Sequence, residues 1–118
     1  MIAERNEYLN EDQTIGYVEA VYASGNVLKT TYFPKSQRLF IAFSRGHTYS
    51  YNNITKELYK GFEKAESQGK YFLDHNMNKP EKYPCRKEFT LYPSEVKECK
   101  LKIVEAKNKL NDEKAETI

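Results

Sequence analysis

Four stretches in the first half of the chain carry the period-two or β-branched and aromatic pattern of pleated strands. Thr14 to Ala23 reads TIGYVEAVYA and stops at Ser24-Gly25-Asn26. Next, Leu28, Thr30 and Tyr32 alternate with Val27, Lys29, Thr31 and Phe33, which predicts a second strand. Pro34-Lys35-Ser36-Gln37 supplies a turn before RLFIAF, whose two faces are both apolar and so predict a central strand covered on both sides. Ser44-Arg45-Gly46 turns the chain again into His47 to Tyr51, with Tyr49 and Tyr51 on one face.

The period then lengthens. Ile54, Leu58, Phe62 and Ala65 form one helical stripe over residues 54–67, with Lys56, Lys60 and Lys64 on the exposed side. Gly61 inside that stripe costs about 1 kcal/mol relative to alanine, so close packing of the backbone is expected there. Gly69 is expected as the left-handed C-terminal cap, followed by an aromatic re-entry at Tyr71 and Phe72. CRKEFTLY, after the loop 79–84, reads as a last strand alternating Cys85, Lys87, Phe89 and Leu91 against Arg86, Glu88, Thr90 and Tyr92. A final helix opens at Pro93-Ser94 with a seam of Val96, Cys99, Ile103, Ala106 and Leu110, widened by Leu101 and Val104. Two heptads cannot stand alone, so this helix lies on the sheet or pairs with a second copy.

These elements predict an α+β fold: a small antiparallel β-meander of four to five strands, one helix packed on a face, and a C-terminal helix. Residues 1–13 show no periodicity and read as a polar arm; 14–92 form the domain; 93–118 form the C-terminal helix and a tail frayed after Asn111.

Composition alters this picture in one respect. The formal net charge is +2, yet the running balance is −4 over residues 1–26, +6 over 27–90 and 0 over 91–118. The basic middle also holds Tyr32, Tyr49, Tyr51, Tyr59, Tyr71 and Tyr83. Cations among aromatic rings suit a ligand with phosphates and flat bases, and equally suit a small sheet that uses tyrosine at half-buried positions. No apolar run approaches membrane-spanning length and the N-terminus is acidic, so a soluble, cytoplasmic protein with no membrane partner is expected. Cys85, Cys99, His47 and His75 follow no metal-ligand spacing; reduced cysteines, no metal and no cofactor are expected.

The candidate site follows from residue chemistry. Arg45 precedes a turn glycine, where a guanidinium can fork onto a phosphate. His47 can meet a phosphate or a base edge. Tyr49 and Tyr51, about 7 Å apart on one strand face, either receive bases or lie beneath helix 54–67 against Leu58 and Phe62. Lys70 with Tyr71, and Arg86 near Tyr83, each pair a cation with a ring. Catalytic motifs are missing: there is no nucleophile turn, glycine-rich phosphate loop or His-Glu-x-x-His. A ribonuclease-type site would need His47, His75 and Lys70 to converge on one phosphate. A protein that is not an enzyme is expected.

Residues 24–77 resemble the KTSC domain, a module found as a single-domain bacterial or phage protein and at the C-terminus of some lysyl-tRNA synthetases. The resemblance rests on Tyr32, the hydrophobic strand LFIAF, Gly46, Tyr49-x-Tyr51, Tyr59 and Ala65, and Ser67-x-Gly69-x-Tyr71-Phe72. The family often has a proline near the helix start, where this chain has Thr55. It implies no catalytic residues and a suggested role in RNA binding. The expected function is therefore a non-catalytic nucleotide- or RNA-binding module. Two alternatives stand beside it: a phage-type sponge that sequesters a small nucleotide second messenger, a cyclic nucleotide such as a cyclic dinucleotide, to block host signalling, and a protein–protein adaptor acting through the C-terminal helix. A homo-oligomer through that helix is expected, and the sponge reading in particular calls for symmetric copies.

Overall fold

The structure, a computed structural model, describes the backbone of residues 1–116 and the side chains of residues 1–111. One six-stranded antiparallel sheet runs in sequence order: β1 (Ile2–Leu9), β2 (Ile15–Tyr22), β3 (Val27–Phe33), β4 (Arg38–Phe43), β5 (His47–Tyr51) and β6 (Cys85–Thr90). Helices α1 (Lys56–Lys64) and α2 (Gln68–Asp74) lie between β5 and β6, and α3 (Pro93–Glu116) follows. The α+β meander is as expected, with one strand more than the sequence pattern predicts.

That extra strand is β1, within the segment read as a polar arm. Its pairing with β2 runs from Ile2 opposite Tyr22 to Leu9 opposite Ile15, so backbone hydrogen bonds hold what the side chains do not advertise. Arg5 ties it to α1 through Glu63 at 2.9 Å, and Lys102 of α3 approaches Glu4 at 3.3 Å.

One face of the sheet is buried under α1 and α2. Val18, Ala20, Tyr22, Tyr32, Leu39, Ile41 and Tyr51 meet Ile54, Tyr59, Phe62, Phe72, Met77 and Tyr83 there. Two of its tyrosines have hydroxyl partners that offset their burial: Tyr32 donates to the Ile54 carbonyl at 2.6 Å, and Tyr22 shares a 2.9 Å hydrogen bond with Thr30. Burial lifts the Tyr32 phenol to about 12.

Helix α1 begins two residues later than expected, because the Thr55 hydroxyl accepts from the Leu58 amide and caps it. It also ends earlier. The Ser-x-Gly segment starts a second helix rather than capping the first: Ser67 accepts from the Lys70 amide, and Gly69 sits in the first turn of α2 close to Asn26. Buried Gln68 joins the two helices by donating to the carbonyls of Phe62 and Ala65.

Helix α3 lies on the other face of the sheet, one of the two placements expected for it, and crosses β1, β2 and β3. Val96, Cys99 and Ile103 pack on Val21 and Leu28, while Leu101, Val104 and Leu110 of the same seam are exposed. Leu28 reaches this face because a register shift between Val27 and Lys29 turns Val27 into the opposite core, against the simple alternation expected. The helix continues to Glu116, past the frayed start expected at Asn111; residues 117–118 of that expected tail lie outside the described residues. Among the described residues no helix is long and apolar enough to cross a membrane.

Candidate nucleic-acid interface

The tyrosine pair of β5 belongs to the core. Tyr51 is 5% exposed and meets Phe72 edge to face at 5.4 Å; Tyr49 is half-buried and packs edge-on to Phe43 at 6.0 Å. Helix α2 meets Tyr51 through Phe72, while the ring of Phe62 in α1 packs on Tyr22 and Tyr71 instead. The Tyr51 ring is enclosed, and Tyr49 is exposed only in part. Tyr71 is half-buried as well, donating to the Leu58 carbonyl at 3.1 Å and stacking on His75 with centroids 3.7 Å apart.

The cations and the histidine expected beside these rings are dispersed. Arg45 stands exposed at the β4–β5 turn, where Gly46, at φ +94°, is packed against Leu91 and Val96. His47 Nδ1 lies 3.2 Å from the Thr90 hydroxyl. Lys70 is exposed on α2. Arg86 projects on the α3 side of the sheet and is occupied by Glu88, with contacts of 3.2 and 3.0 Å. Seven residues expected to gather thus occupy both faces and a turn, and form no common cleft.

A different arrangement of rings appears on the part of the sheet that α3 leaves uncovered. The strand pairing sets Tyr8 opposite Tyr17. The β2–β3 register places Phe33 next, and Phe40 lies one diagonal step beyond on β4. Centroid separations along this row are 4.5, 5.5 and 5.8 Å. The Arg38 guanidinium stands 4.8 Å from the Phe40 centroid and ends the aromatic run.

Polar groups carry the row to the far edge. Arg38 donates to Glu88 at 2.6 Å and to Ser50 at 3.2 Å, and Ser50 donates to the same carboxylate at 2.7 Å. The fork of Arg86, the Ser50 hydroxyl and the charge of Arg38 hold the Glu88 carboxyl down to about 2. Glu88 shares this face with Arg86 by simple alternation, and beyond it the β5–β6 register shifts between Thr48 and Tyr49. The same shift sends Phe89, expected with Lys87, to the side of Thr48. Phe89 is 49% exposed, and with Lys29, Phe33, Phe40, Thr48 and Leu91 it walls a hollow of about 210 Å³ between the row and α3.

This surface can offer flat hydrocarbon to bases, flanked by two guanidinium groups that Glu88 holds in place. It was not visible along the sequence, because the row runs across the strands. Phe40 and Ala42 looked like the second buried face of β4, and Tyr8 lay in the segment read as an arm.

Residues 23–79 match the family model of the KTSC domain, close to the span 24–77 suggested by the motifs. The crystal structure of a KTSC domain protein from Yersinia pestis is similar, with a TM-score of 0.54 and 28% sequence identity over 60% of this chain and 96% of that one. None of the curated proteins matches the chain. The matched segment runs from β3 to α2, so it supplies Phe33, Phe40 and Arg38, while Tyr8, Tyr17, Arg86, Glu88 and Phe89 come from outside it.

Proposed function

The chain carries a KTSC domain in residues 23–79, and from that premise we propose that it is a non-catalytic module that binds single-stranded RNA across its open sheet face. The observation that carries this reading is the row Tyr8–Tyr17–Phe33–Phe40, presented beside Lys29, Arg38 and Arg86. Stacking on an aromatic side chain contributes about 1–3 kcal/mol per base and tolerates any sequence. The few cations at the row fit a net charge of only +2: with three phosphate contacts the log–log salt slope for a single strand is about −2. The non-catalytic part of the reading is supported by the separation of the histidines. His47 opens β5 beside Thr90, whereas His75 caps α2 with Nδ1 3.0 Å from the Tyr71 carbonyl.

Fluorescence anisotropy with labelled single-stranded 12-mers tests it. Phe33→Leu and Phe40→Leu, which keep hydrocarbon but lose the flat ring, are each expected to weaken binding about tenfold, in line with one lost stack. Raising salt from 50 to 200 mM is expected to cost about 15-fold. Absence of binding at both salts would return the function to the small-nucleotide or adaptor readings.

A further inference from the structure

A cleft of about 740 Å³ lies on the opposite side, where the β1–β2 hairpin meets α1 and the β3–β4 turn. That volume falls within the range of small-molecule sites. Three lysines stand around it: Lys35 on the turn, Lys56 at the first position of α1, and Lys60 one helical turn later. All three are exposed, and among the described residues none of them has an acidic partner within salt-bridge distance. Like charges four apart on a helix repel slightly, so an anion between them is welcome. Arg5 also borders the cleft, but it is occupied by Glu7 at 2.7 Å and Glu63 at 2.9 Å.

The inner wall holds polar groups whose hydrogen bonding is incomplete. Tyr59 stacks on Tyr32 at 4.2 Å and is 3% exposed. Its hydroxyl lies near Tyr22, Thr30 and Glu63 but closes no hydrogen bond of good geometry with any of them. Glu63 gives Oε2 to Arg5, while its buried Oε1 is without a partner. Buried polar atoms are normally satisfied, and both of these belong to residues that line the cleft, which Asp12 borders at its rim beside the lysines.

We infer that this cleft binds a small phosphorylated metabolite bearing free hydroxyl groups. Its phosphate would meet Lys35, Lys56 and Lys60, and a ligand hydroxyl would donate to the Glu63 carboxylate. A nucleotide and a sugar phosphate both have this chemistry. The lysines and Tyr59 belong to the KTSC segment, but Arg5, Asn10, Thr14 and Ile15 come from the hairpin that precedes it. The hairpin thus adds a wall to a helix–sheet junction that the matched segment alone leaves open.

Calorimetric titration of the full chain with ADP, adenosine, glucose 6-phosphate and inorganic phosphate tests the inference. Either ADP or glucose 6-phosphate is expected to bind below 1 mM, and which one does so identifies the source. Lys56→Glu/Lys60→Glu is expected to weaken that binding at least tenfold, and Lys64→Glu/Lys70→Glu, on exposed sites away from the cleft, to leave it unchanged. Phe40→Leu should not alter it, which separates this site from the RNA face. The inference is overturned if no phosphorylated probe binds, if adenosine binds as well as ADP, or if the two double variants behave alike.

Discussion

Glu88 accepts hydrogen bonds from Arg38, Ser50 and Arg86, three strands' worth of donors on one carboxylate. Its folded pKa of about 2 lies below the ordinary 4.5, so the contribution to stability is fully present above pH 4.5 and is lost as pH falls through about 2. Glu88→Gln should therefore unfold at a lower urea concentration than the wild type at pH 7. The gap should narrow steadily between pH 4.5 and 2. A gap that stays constant over that range would show that the ionised carboxylate is not what matters. The same residue fixes the two arginines at the end of the aromatic row, so the ion cluster also orients the surface proposed to meet phosphates.

At the level of elements, α1 and α2 meet through a glycine. A methyl group at Gly61 would run into the Tyr71 hydroxyl and ring. Overpacking of this kind costs about 1–3 kcal/mol, against a helix-propensity gain of about 1 kcal/mol. Gly61→Ala should therefore destabilise the protein by about 1 kcal/mol, whereas in a Tyr71→Ala background the same change should stabilise it. Denaturant midpoints of the four proteins decide the matter, and equal effects in both backgrounds would exclude the contact. Close packing at Gly61 was legible from a glycine inside an apolar stripe. The partner was not, since α2 is too short to reveal a helical period and Ser67-x-Gly69 reads equally as an end or a beginning. For β2 to β5, alternation and turn residues marked the strands closely. For β1, IAERNEYL hid the strand because an edge strand with both faces partly wet needs no alternation. The site was the least legible part. Tyr49 and Tyr51 do share a face, but which face carries the helices depends on tertiary packing, and a row such as Tyr17–Phe33–Phe40 depends on register between strands.

In the whole molecule, the KTSC segment forms the middle of the structure and the flanking residues extend it on both sides. The N-terminal hairpin lengthens the aromatic row and walls the lysine cleft; β6 and α3 supply Arg86, Glu88 and Phe89 and shelter part of the open face. Helix α3 spends Val96, Cys99 and Ile103 on the sheet and leaves Leu101, Val104 and Leu110 exposed. The central claim is that the uncovered sheet face, rather than the tyrosine pair of β5, receives RNA. An amide NMR titration of the full chain with a single-stranded 12-mer addresses it directly. The account predicts shifts at Tyr8, Tyr17, Phe33, Arg38, Phe40 and Ser50, with the amides of α1 and α2 unmoved. Shifts confined to the two helices, or an unchanged spectrum at low salt, would contradict it.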